Sequence, residues 1–293
     1  MAIRAILAPL SGGPASEGTI ETACRLAKRY GAHLEALHVR ADPRAAVTAM
    51  GPDMSTAIAA ELIDQAAQES EERRGKAKAV FDAAVARHEL PLRQHPIGLG
   101  QAAAGTASAC WREEMGATHE VVPRRARVCD LVVLGQSGRV TDQPHTDTIE
   151  ETLLNGGRPV LIAATRPMLP IGEVIAVAWN DSVEAARAVF AALPFLTQAK
   201  EVHLLTAGER SATGAAVDLA QYLAWHGIGS SSHTIQPVTG ITTGELLLEA
   251  TRDQGADLLV MGGYGRAVWR EMLFGGATRQ IVATSRLPLL LAH

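Results

Sequence analysis

Leu258-Leu259-Val260-Met261-Gly262-Gly263-Tyr264-Gly265, followed after nine residues by Gly275-Gly276-Ala277-Thr278, is the stretch whose reading decides the fold. An apolar strand runs into a glycine-rich loop, and a second glycine cluster opens a helix. Glycine lets the backbone approach a ligand and adopt positive φ. A helix N-terminus offers free N–H groups and the positive end of its dipole. Together these suit the phosphates of a nucleotide. The loop is no Walker A motif, because no Gly-Lys-Ser/Thr follows, and it is not G-x-G-x-x-G.

Working outward, the chain repeats itself. Cys129-Asp130-Leu131-Val132-Val133-Leu134-Gly135 parallels Ala256-Asp257-Leu258-Leu259-Val260-Met261-Gly262 almost residue for residue. Ile3–Pro9 with the Ser11-Gly12-Gly13 turn parallels Val174–Trp179 with the Asn180-Asp181-Ser182 turn, and Arg158–Ala163 parallels Leu287–Ala292. Strands alternating with helices predict parallel sheets covered on both faces. The expected second half is strand 173–179, helix 182–193, strand 201–206, helix 212–226, strand 231–237, helix 243–253, strand 256–261, helix 276–285 and strand 287–292. The first half has strands at 3–9, 33–39, 106–111, 129–135 and 158–163, with a long charged helix over 56–89. The fold class is therefore α/β: two tandem, open, mostly parallel five-stranded sheets with helices on both faces. Pro167 and Pro170 mark a linker between domains at 1–166 and 171–293.

Composition sets further bounds. The 293 residues carry a formal net charge of -4, with 47% hydrophobic, 20% charged and 4% aromatic residues. That charge argues against a nucleic-acid or membrane-surface partner, and so few aromatics make no stacking platform. No apolar run approaches ~18 residues. Three cysteines without CxxC spacing suit a reducing compartment, so a cytoplasmic protein is expected.

In open parallel sheets, ligands lie beyond the carboxyl ends of the strands at the switch in strand order. The candidate cofactor-binding residues are Ala178, Trp179 and Asn180 after the first strand of the second half, Thr206 after its second, and Met261, Gly262, Tyr264, Gly265, Gly275, Gly276, Ala277 and Thr278 around the loop. Backbone N–H groups there would hold phosphates, Thr278 would add a hydroxyl, and Tyr264 would cover a ribose or base. No catalytic residue is assigned: there is no G-x-S-x-G elbow and no evident general base. No metal ligand is assigned either. Asp142, His145 and Asp147 read as a polar surface loop, and His38 and His203 as satisfied strand histidines. Cys24 and Cys129 read as core thiols.

These residues resemble the universal stress protein family in its tandem, two-domain form, a Rossmann-like fold of the adenine nucleotide alpha hydrolase type. Nucleotide-binding members carry G-x2-G-x9-G-(S/T). Gly262, Gly265 and Gly275 match that spacing, Gly276 replaces the hydroxyl, and Asn180 stands at the family's aspartate. The resemblance implies ATP or AMP as cofactor, with Mg as an accompanying ion. It also implies a regulatory role in stress response, and slow ATP hydrolysis at most. Alternative readings are a nucleotide-free interaction protein of the same fold and a weak ATPase. It further implies intrachain pairing of the two domains through their last strands, and a possible homodimer. In the first half Ser11 replaces the aspartate and the interval after Gly135-Gln136-Ser137-Gly138 is too long, so that half is expected to hold no nucleotide.

Overall fold

The computed structural model describes residues 2–43, 56–95, 106–136, 143–164, 170–207, 214–263, 281–282 and 284–293. The first half builds β1 (Ala5–Pro9), α1 (Ala15–Tyr30), β2 (His33–Arg40), α2 (Thr56–Arg87), β3 (Ser108–Met115), α3 (Thr118–Ala126), β4 (Leu131–Gly135), α4 (Gln143–Asn155) and β5 (Val160–Ala163). The second half builds β6 (Val174–Ala178), α5 (Val183–Leu196), β7 (Glu201–Ala207), α6 (Ala215–Trp225), β8 (Ser231–Ile235), α7 (Thr243–Asp253), β9 (Leu258–Gly262) and β10 (Leu289–Ala292).

The strands join in the order β3-β2-β1-β4-β5-β10-β9-β6-β7-β8. Each half thus contributes five strands in the same relative order. They form one continuous ten-stranded sheet, the two expected five-stranded sheets meeting at their last strands. Neighbours are parallel except at the join, where β5 and β10 run antiparallel with Leu289 opposite Ile162 and Leu291 opposite Val160. The physical reason is that Val160–Ala163 and Leu289–Ala292 are wholly apolar, so an open edge there would expose unpaired amides beside greasy side chains. Joined, every residue of both strands is buried.

The sequence repeat has a mechanical meaning. Asp130 Oδ2 accepts from the amides of Arg4 (2.8 Å) and Ala5 (2.9 Å), fastening the start of β1 to that of β4. Asp257 does the same for β6 and β9, accepting from the amides of Gly172, Glu173 and Val174. Gly135 and Gly262, the last residues of their strands, lie hard against a helix. A Cβ on Gly135 would stand 2.8 Å from the carbonyl oxygen of Ala15, and one on Gly262 2.6 Å from the amide nitrogen of Ala185.

Several local expectations need correction. β3 runs to Met115, beyond the expected end at Trp111. Its charged tail stays in the sheet because its side chains find partners: Arg112 meets Glu35, and Glu114 meets Arg124 and Arg125. His145 and Asp147 fall within α4 rather than a loop; Pro144, in the first turn of that helix, fits where no amide partner is needed. The Glu69–Arg74 run forms exposed pairs three or four residues apart, such as Arg74–Glu71 and Arg73–Glu69. The opposite side of that turn of α2 is closed: Ser70 is buried, and the backbone of Arg73 crowds Gly12.

The halves also meet through α1. Arg29 Nη1 donates to Ile171 O at 2.6 Å and its Nε to Gln198 Oε1 at 2.8 Å, while Tyr30 meets Phe195 edge-on at 5.4 Å. Cys24, Cys110 and Cys129 are free and buried. Burial pushes their thiols up to about 12, about 11 and about 12 respectively. Since the thiolate is the reactive form, a disulfide reagent near neutral pH should label none of them quickly in the native chain and all of them after denaturation. Rapid native labelling of any one would contradict this core.

Candidate functional site

The switch in strand order within the second half falls between β6 and β9. There Ala178 is in register with Met261 on one side and with Leu205 on the other. The carboxyl ends of β6, β7 and β9 therefore lie at one edge, where Trp179–Ser182 follows β6 and Gly263 follows β9. The backbone reverses after β6 through Asp181, which has φ 58. Aspartate tolerates that left-handed conformation better than most residues. Ser182 then caps α5, its Oγ accepting from Ala185 N at 3.1 Å.

The predicted residues divide by what they do. Asn180 Oδ1 accepts from the Ser182 amide (3.3 Å) and hydroxyl (2.7 Å), so its carbonyl oxygen shapes the turn. The indole N–H of Trp179 donates to Ala215 O at 3.1 Å and braces β6 against the start of α6. Thr206 is buried and donates to His233 O at 3.4 Å. Met261 is buried. Gly262 sits against the first turn of α5, so its lack of a side chain serves strand–helix packing. Gly263 is anchored at both ends, its N–H donating to Ala292 O (2.7 Å) and its carbonyl meeting His293 Nδ1 (3.0 Å). Tyr264, Gly265, Gly275, Gly276, Ala277 and Thr278 lie outside the described residues.

The same edge of the first half holds a cavity that the sequence did not reveal. Its volume is about 160 Å³, and its lining includes Leu10, Ser16, Thr19, His38, Ser70 and Arg73. The polar groups are already engaged within the protein. Ser16 Oγ accepts from Gly12 N, Thr19 donates to Ala15 O, and His38 Nδ1 lies 2.7 Å from Leu10 O. Ligand pockets usually run to about 300–1,000 Å³. The space is short because α2 lies across it: a Cβ on Gly12 (φ 80) would overlap the carbonyl oxygen of Arg73. The available sequence signal was the pair Ser16 and Thr19, three apart on the sheet-facing side of α1. Among the described residues, no group of three or more His, Cys, Asp or Glu side chains could hold a metal. None of the described helices is long and apolar enough to cross a membrane.

Residues 2–143 match the sequence model of the universal stress protein family. That half of the chain is a universal stress protein domain. The match covers the first half, whose glycine loop departs further from the family pattern than that of the second. No curated protein matches the chain. Among solved structures, a universal stress protein from Archaeoglobus fulgidus DSM 4304 is similar over 98% of this chain and 95% of its own, with a TM-score of 0.68 and 17% identity. A protein of unknown function from Pseudomonas aeruginosa PAO1 is similar over 99% of this chain and 92% of its own, with a TM-score of 0.57 and 16% identity. At such identities the likeness concerns the fold, which both share over nearly the whole of this chain.

Proposed function

We propose that this protein binds ATP or AMP in a C-terminal domain, residues 171–293, and that residues 1–166 form a partner domain without nucleotide. The observation that carries this reading is the register of Ala178 with Leu205 and Met261. It brings the turn after β6 and the end of β9, from which the glycine-rich segment continues in sequence, to one edge beside the switch in strand order. The start of α5 is closed by Ser182 and Gly262. The phosphate donors therefore come from the backbone of Gly265, Gly275, Gly276 and Ala277, with Thr278 as hydroxyl and Mg beside the phosphates. Crowding of the first half's cavity by α2 supports the assignment of the second half.

The role that fits this site is regulatory: bound nucleotide biases conformation or association in a cytoplasmic stress response, and turnover is slow. Joining of the domains through β5 and β10 lets occupancy of one half be felt by the other, and a homodimer would extend that coupling. Equilibrium dialysis with ATP and AMP tests the reading. Wild-type protein should retain nucleotide, and Gly265→Asp or Gly275→Asp should weaken retention at least tenfold, about 1.4 kcal/mol, with the circular dichroism unchanged. No wild-type retention would leave a nucleotide-free interaction protein as the reading, and folded variants that retain nucleotide as wild type does would remove the glycine loop from the site.

A further inference from the structure

On the outer strands of the second half, well away from the β6–β9 edge, three donor atoms face one another. His203 on β7 pairs in register with Ser231 on β8, and His233 lies two residues along β8, on the same face as Ser231. His203 Nδ1 is 2.8 Å from Ser231 Oγ and 3.2 Å from His233 Nε2, and Ser231 Oγ is 3.0 Å from His233 Nε2. The triangle is closed on all three sides, so the three atoms lie close enough to share one ion.

A second observation concerns the other nitrogen of His203. The residue is only 9% exposed, and Nε2 is buried without a hydrogen-bond partner. This corrects the expectation that His203 is a satisfied strand histidine. Nε2 lies 3.5 Å from Glu201 Oε2. That carboxylate, close but not hydrogen-bonded, favours the proton on Nε2 and so the lone pair on Nδ1.

We propose that His203 Nδ1, His233 Nε2 and Ser231 Oγ form a binding site for a divalent cation of the late first transition row. With metal–ligand bonds of about 2.0–2.1 Å, donor separations of 2.8, 3.0 and 3.2 Å subtend angles of roughly 85–105°. Such angles suit the tetragonal geometry of Cu(II) or Ni(II) better than the wider tetrahedral angles of a structural zinc site. Imidazole nitrogen favours the same ions, and Cu(II) binds tightest in the general affinity order. Water completes the coordination, because Ser231 is exposed and His233 half-buried. The first half has the equivalent pair, His33 Nδ1 to Ser108 Oγ at 2.9 Å, with Cys110 at the position of His233. The first half thus offers a buried thiol where the second half offers a second imidazole, so the two-imidazole donor set belongs to the second half.

The test titrates chelator-treated full-length protein with CuCl2 near neutral pH and reads uptake by calorimetry and by electron paramagnetic resonance. Wild-type protein should take up one equivalent, with hyperfine coupling to two nitrogens. His233→Ala, on the half-exposed member, should weaken binding at least tenfold and leave one coupled nitrogen. His119→Ala, an exposed histidine on α3, should behave as wild type. Absence of saturable uptake, or a wild-type signal without two-nitrogen coupling, would overturn the proposal even if a variant failed to fold. So would a folded His233→Ala protein that binds as wild type.

Discussion

Gly262→Ala should lower the stability of the chain by about 3 kcal/mol, and its thermal midpoint by roughly 5–10 °C. The added methyl would stand 2.6 Å from Ala185 N, 2.7 Å from Glu184 C and 2.9 Å from Glu184 Cβ. Two of these are backbone atoms, so no side-chain rotation relieves the overlap. Strand β9 and the first turn of α5 would have to separate. Gly135→Ala should act alike in the first half, where the methyl would meet Ala15 Cβ and Ala15 O, each at 2.8 Å. Gly75→Ala provides the opposite sign. It lies on the exposed side of α2, nothing stands within 4 Å of its Cβ position, and alanine gains about 1 kcal/mol over glycine inside a helix. Thermal melts of the three variants should therefore move in two directions. A Gly262→Ala protein as stable as wild type would show that β9 and α5 are not in this contact.

Asp257→Ala should cost about 2–3 kcal/mol, because hydrogen bonds to a charged group are worth about 1.5–3 kcal/mol net. The carboxylate holds three consecutive amides, with Gly172 N at 2.5 Å from Oδ1, Glu173 N at 3.0 Å and Val174 N at 3.3 Å from Oδ2. Removing it strands amides at the point where the chain enters β6. Asp257→Asn should be intermediate: one oxygen still accepts, but the new NH2 confronts N–H groups. Asp130→Ala should cost less, since that residue holds two amides rather than three. Denaturant melts give this ranking, and equal stabilities for Asp257→Ala and wild type would contradict it.

The fold was legible because its signals are local. Continuous apolar strands, alternation with helices, and the repeated Asp at the start of the fourth strand of each half all stand in the sequence. The union of two sheets into one was only half legible. Leu289–Leu291 and Val160–Ile162 announce that they must be covered, but their antiparallel register is a property of the assembled sheet. The charged end of β3 was missed because Arg112 is matched by Glu35, far away in the chain, and Glu114 by Arg125 on the following helix. At the candidate site, spacing singled out Gly262 for phosphate contact, and the structure shows it packed on α5; the two roles look the same in sequence. Asn180 is similar, since a side chain that builds its own turn and one that meets a ligand look the same in sequence. The His203–Ser231–His233 triangle was invisible because parallel pairing, not sequence spacing, brings it together.

The most direct test of the central claim is where a nucleotide sits. Photolabelling with 8-azido-ATP, followed by peptide mapping, should place the adduct in peptides spanning Val174–Ser182 or Leu258–Thr278, with competition by unlabelled ATP and AMP. Adducts that compete away instead at Pro9–Gly13 or Leu131–Gln136 would put the nucleotide in the first half and contradict the account.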